Sequence, residues 1–203
     1  MLEKSFLDAY VADLRNNVKR VRAIGANGFN QEAMLVAMCY IDSLGHDLTG
    51  TDRARNNFRE ALVRCSSDPY WAAVVPFELQ KRLDKLVAEK KLRTAVQISP
   101  NVLISIEAAK RQISHACGAE ALTAMVLNAI DKATVADVLY SVRRSSQVHD
   151  YSSGRGPVRF GALTWNGVHA AEIDLDYVCR TLDAIIDWFD QHRDQVALFT
   201  AFP

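Results

Sequence analysis

Net charge is the first thing this chain lacks: 24 Lys and Arg balance 24 Asp and Glu. A global basic field is therefore excluded, and any nucleic-acid contact must come from a local patch with modest non-specific affinity. No run of about 18 uncharged apolar residues occurs, so no membrane span is expected. The first ten residues carry Glu3, Lys4 and Asp8, which deprives them of the apolar core of a signal peptide; the expected compartment is the cytoplasm. Cysteine is sparse. Cys39, Cys65, Cys117 and Cys179 stand far apart with no CxxC pair, which argues against a zinc site and points to reduced core thiols acting as small hydrophobes. No repeat and no low-complexity tract is found, and no motif implies a cofactor.

What is present is helical periodicity. The 203 residues, 49% apolar and 24% charged, suffice for one domain with a real core. The spacing predicts an all-α fold. A first helix is expected over about 3–23, with Phe6, Tyr10, Leu14, Val18 and Val21 on one stripe. A second spans about 30–44, apolar nearly all round and therefore central and buried, with Gly45 as its stop. Thr49-Gly50-Thr51-Asp52 offers a turn and cap before a helix through Phe58, Leu62 and Cys65. A helix over about 77–92 carries a basic outer face of Lys81, Arg82, Lys85, Lys90 and Lys91, read as solvation rather than RNA contact. Ser99-Pro100 should open a helix ended by Gly118, and another should cover about 120–131. Thr134, with Asp137 three residues on, has capping-box spacing for a helix that turns Val135, Val138, Leu139 and Val142 inward and runs to about 150. Asn166-Gly167 between two apolar runs predicts a small β-hairpin. The last helix is expected over about 175–197, with Val178, Leu182, Ile185, Ile186 and Phe189 as its stripe.

Chemistry concentrates where the Thr134 helix ends, at Leu139-Tyr140-Ser141-Val142-Arg143-Arg144-Ser145-Ser146-Gln147-Val148-His149-Asp150. Arg144 supplies a permanent charge and forked donors suited to a phosphate. His149 can move a proton near neutral pH. Together they suffice to transesterify RNA without a metal, His149 acting on the 2′-hydroxyl or the leaving oxygen and Arg144 on the phosphate. Five steps along an ideal helix turn about 140°, so the two side chains converge only where the helix loosens or a second subunit completes the site. The same spacing also fits a solvated helix end with His149 as a favourable C-terminal cation.

This segment resembles the HEPN family, whose hallmark is R-x4–6-H late in an all-α bundle. Cys39-Tyr40-Ile41-Asp42-Ser43-Leu44-Gly45, then Thr49-Gly50 and the stretch 53–62, resemble the buried second helix and following turn of bacterial HEPN proteins. The likeness covers about 31–150. It implies a single helical domain over 1–203 with a motif-bearing core at about 30–150, followed by an added hairpin and C-terminal helix at about 157–197. It also implies a homodimer with the two motif helices facing each other, metal-independent endoribonuclease activity on RNA, and a setting in toxin–antitoxin or phage-defence systems with an antitoxin or nucleotidyltransferase partner. By position Arg144 would be the phosphate-binding arginine and His149 the catalytic histidine. Arg143 satisfies the spacing too. The residue after the arginine is often Asn, Asp or His in the family and is Ser145 here, whose hydroxyl can still hydrogen-bond a phosphate. Tyr151 and Arg155 follow closely enough to contact substrate, with packing and a basic loop as their plain alternatives. A non-catalytic module binding RNA, a nucleotide or a protein is the rival reading, and a helical scaffold with a chance Arg–His pair is the third.

Among the remaining residues, Asp42 lies on an apolar helix and needs a partner if buried. His115, four after Arg111, shares its helix face and reads as surface, and Trp71, Trp165 and Trp188 read as packing anchors.

Overall fold

The computed structural model describes residues 4–99, 101–141, 163–170 and 172–200, and within these the chain is all-α apart from one two-stranded hairpin. Among the described residues no helix is long and apolar enough to cross a membrane. The chain divides into two compact units: residues 1–68, 139–159 and 172–203 form one, and 69–138 with 160–171 form the other.

The first unit is built from long helices: α1 (Lys4–Ala26), α2 (Asn30–Thr49), α3 (Ala54–Glu60) continued by a π-helical turn (Ala61–Cys65), α8 (Leu175–Gln191) and the short α9 (Ala197–Thr200). On α1 the buried residues are Val11, Leu14, Val18 and Val21, a stripe at helical spacing, while Phe6 is exposed. On α8 the expected stripe is buried throughout, and Asp174 caps the helix by accepting from the Tyr177 amide at 2.7 Å. The helix stops at Gln191, short of the expected 197.

Helix α2 departs from expectation in two ways. It is buried on one face, with Cys39 exposed on the other. It also runs through Gly45 to Thr49. Gly45 is no stop: a Cβ there would lie 2.1 Å from the Asn57 carbonyl oxygen, so glycine permits the backbones of α2 and α3 to touch. The stop is Gly50, at φ 64°, the left-handed conformation that glycine adopts without a steric penalty. Asn57, 2% exposed, is fully engaged. Its amide donates to the Thr51 carbonyl at 2.6 Å and its oxygen accepts from the Thr49 and Thr51 hydroxyls at 2.8 and 2.9 Å. The turn is thereby fastened to the same point where the helices cross. Outside the core, Arg15 reaches Asp187 at 3.0 Å and Asp190 at 3.2 Å, and Arg22 reaches Asp183 at 2.5 Å, so charge joins α1 to α8.

The second unit is made of shorter pieces. They are a 3-10 turn (Pro69–Ala72), α4 (Pro76–Ala88), α5 (Ile106–Cys117), a 3-10 turn (Ala119–Ala121), α6 (Ala124–Asp131) and the start of α7 (Val135–Leu139), with β1 (Thr164–Trp165) and β2 (Val168–His169). Its core gathers Val74, Leu79, Leu83, Val96, Ile113 and Ile130 among others. The hairpin is as the Asn-Gly pair predicts. Trp165 pairs with Val168 across Asn166 and Gly167, at φ 49° and 79°, the doubly positive turn that matches strand twist.

Two elements of this unit differ from what their sequences suggest. Helix α5 opens at Ile106, capped by Ser105, whose hydroxyl accepts from the Ala108 amide at 3.1 Å. The chain before it is extended, with Val96 and Ile98 buried and Gln97 and Ser99 exposed in strand-like alternation. The Gln80 side chain pairs with this segment as a neighbouring strand would: it donates to the Val96 carbonyl at 2.8 Å and accepts from the Ile98 amide at 2.9 Å. Thr134 does not cap the helix that follows it. Its hydroxyl donates back to the Asp131 carbonyl at 2.9 Å and closes the end of α6.

Candidate functional site

Helix α7 leads into the Arg–His motif. Val135, Val138 and Leu139 are buried as the pattern predicts. At Tyr140 and Ser141 the winding becomes π-helical, the wider form with i→i+5 bonds that recurs at functional sites. Both residues are held by α3. The Tyr140 ring meets Phe58 edge to face at 5.4 Å between centroids, and the Ser141 hydroxyl accepts from the Arg55 guanidinium at 3.2 Å. Val142, Arg143, Arg144, Ser145, His149, Tyr151 and Arg155 lie outside the described residues. The structure thus fixes the approach to the motif: a helix anchored through its apolar side, its last described turn fastened by an aromatic contact and an arginine. Asp42, on α2, is half-buried.

The basic outer face of α4 and the turn after it is partly neutralised by two carboxylates. Arg82 faces Glu78 at 3.8 Å, and Glu89 faces both Lys85 at 3.8 Å and Lys91 at 2.6 Å. The bond from Lys91 holds the Glu89 carboxyl below the usual carboxylate range. Nor do the cysteines offer a nucleophile in the core. Burial pushes the Cys65 thiol up to about 12 and the Cys179 thiol up to about 11, and the thiolate is the reactive form. Among the described residues no group of three His, Cys, Asp or Glu side chains is placed to hold a metal ion. Trp71 is fully buried, as an anchor should be, and Trp188 stacks on His192 at 4.5 Å with Arg64 over its ring at 5.1 Å.

A second Arg–His pair has a geometry that its sequence does not disclose. Arg111 and His115, one turn apart on α5, line a surface groove of about 440 Å³ with Gln112, and the extended chain supplies Val96, Gln97 and Ser99. The i,i+4 spacing is visible in the sequence. The facing wall is not, because Ser99 reads there as a helix cap. Compared with protein-family models, with curated proteins and with solved structures, the chain matches none.

Proposed function

We propose that this chain is an endoribonuclease of the HEPN type that cleaves single-stranded RNA without a metal, with Arg144 and His149 as its catalytic pair. The observation that carries the reading is the motif in its sequence setting: R-x4-H begins three residues after a described helical segment whose apolar side is buried, in a chain whose described residues are mostly helical. The π-helical winding at Tyr140 and Ser141 supports it.

The chemistry is a transesterification. One His149 removes the proton of a 2′-hydroxyl as that oxygen attacks the adjacent phosphorus. The bond from phosphorus to the 5′-oxygen breaks, and the leaving oxygen takes up a proton from the second His149 of a homodimer. Arg144 holds the phosphate and offsets the charge that grows on its oxygens. The products are a 2′,3′-cyclic phosphate and a 5′-hydroxyl. Arg143, Ser145, Tyr151 and Arg155 would contact the RNA backbone beside the pair. In this reading the protein works in the cytoplasm as a toxin or phage-defence component restrained by an antitoxin or nucleotidyltransferase partner. Ser145, in place of the more usual Asn, Asp or His, and the absence of net charge favour one rival, a HEPN-like module that binds RNA, a nucleotide or a protein without turnover.

Labelled single-stranded RNA incubated in EDTA with the wild type, Arg144→Ala and His149→Ala separates the two. Cleavage by the wild type alone is expected. RNA bound but intact in all three would establish the binding module instead.

A further inference from the structure

The groove on α5 combines three observations. Among the described residues no carboxylate lies within ion-pair distance of Arg111 or His115, although most other arginines of α1, α4 and α8 have one. The groove wall contains no Asp or Glu and no Phe, Tyr or Trp. And the side-chain oxygen of Gln112, in that wall, is buried without a hydrogen-bond partner among the described residues. Each constrains the occupant. A cationic pair with the Ser99 hydroxyl and no carboxylate selects an anion and disfavours a metal ion. Arg in particular matches the fork of a phosphate or carboxylate. An amide oxygen buried without a donor carries a desolvation cost, which is relieved when the side chain turns to accept from a hydroxyl of a ligand. A wall without an aromatic platform gives a nucleobase nothing to stack on.

We propose that this groove binds a small hydroxylated phosphate monoester of the sugar-phosphate class. The phosphate lies between the Arg111 guanidinium, the His115 ring N–H and the Ser99 hydroxyl, and Gln112 accepts from a ligand hydroxyl. The site lies on α5 and the chain before it, and it rests on no part of the ribonuclease reading.

Titration calorimetry in phosphate-free buffer tests it on the full chain, with glucose 6-phosphate, inorganic phosphate and AMP as probes. Glucose 6-phosphate should bind one to one and more tightly than either of the other two. Arg111→Ala should weaken it by roughly tenfold or more, the scale of a lost charge-assisted pair, and His115→Ala by less. Gln112→Leu should bring glucose 6-phosphate down to the affinity of inorganic phosphate while leaving the latter unchanged. Arg111 and His115 are exposed, so these variants should keep the wild-type melting curve, and a control in Arg144→Ala should bind as the wild type does. No binding of glucose 6-phosphate at millimolar concentration would overturn the proposal. So would binding indifferent to Arg111→Ala, or AMP preferred over the sugar phosphate.

Discussion

The two units solve the same problem with different parts. In the first, helices of 23, 20 and 17 residues each lay a continuous stripe on their neighbours, and specificity comes from one backbone contact at Gly45 and a set of ion pairs at the rim. In the second, the longest helix has 13 residues, and side chains stand in for regular structure: Gln80 for a strand, Ser105 for a helical turn, Thr134 for a helix end. Packing of stripes is robust and readable. Side chains that substitute for backbone are local and depend on one residue each. The first arrangement should fail where backbones touch, the second where a single polar side chain is removed.

The largest effect should come from Gly45→Ala. The added carbon meets backbone atoms of Asn57 at 2.1 and 2.4 Å, and overpacking against atoms that cannot rotate away should cost about 3 kcal/mol. Gly25→Ala is the control, because its nearest contact is a Leu175 methyl that can move. Denaturant unfolding of the pair checks the difference, and equal losses would break the claim that backbone contact is what matters. Next is Gln80→Leu in the second unit. It removes two bonds to the extended chain and leaves a carbonyl and an amide to find water, a loss of about 2 kcal/mol, with faster amide exchange at Ile98 as the local signature. Arg22→Ala should cost only about 0.5 kcal/mol, since both members of its pair with Asp183 are substantially exposed. That small loss should shrink further in high salt. Smallest in free energy but simplest to read is thiol labelling of the native protein. Cys39, exposed, should react promptly at neutral pH, and Cys65 and Cys179, buried, only on unfolding.

A further check uses acid. Asp190 is held below its usual range by the Arg193 guanidinium that bonds it. Its contribution to stability is therefore present above the ordinary aspartate range and lost as the pH falls through the lowered value. Asp47, raised by burial beside Tyr10, has the opposite sign: its folded form binds the proton more tightly, so it costs stability as the pH rises past the ordinary range. Arg193→Gln should accordingly flatten the acid limb of the stability profile, and Asp47→Asn should lift the neutral plateau.

Legibility followed periodicity and not the division into units. The all-α class, the stripe of α8, the later part of the α1 stripe from Leu14 to Val21, the Asn166-Gly167 hairpin and the inward face of α7 could be read from spacing and turn chemistry, because burial repeats at a fixed period there; Phe6 is exposed and Val11 takes a place in the core that spacing did not assign it. Gly45 misled because glycine serves both as a stop and as a point of close approach, and only the partner helix distinguishes them. Ser99 and Thr134 misled because a hydroxyl can cap forward or backward, and which carbonyl or amide it meets is a tertiary fact. Cys39 followed an apolar run onto the exposed face of a helix that is buried on one side only. For the site, the Arg144–His149 motif and its helical approach could be read in sequence. The Arg111 groove could not, since half of its wall is an extended segment with no periodic signature of its own.

The most direct test of the ribonuclease reading is the chemistry of the cut end. A short single-stranded RNA should be incubated with the wild type and with His149→Ala in EDTA, and the fragments weighed by mass spectrometry. The wild type should yield fragments ending in a 2′,3′-cyclic phosphate with a 5′-hydroxyl on the other side, and His149→Ala should yield none while keeping its helical spectrum. Fragments with the same ends and rate from His149→Ala would contradict the account, as would wild-type RNA that stays intact.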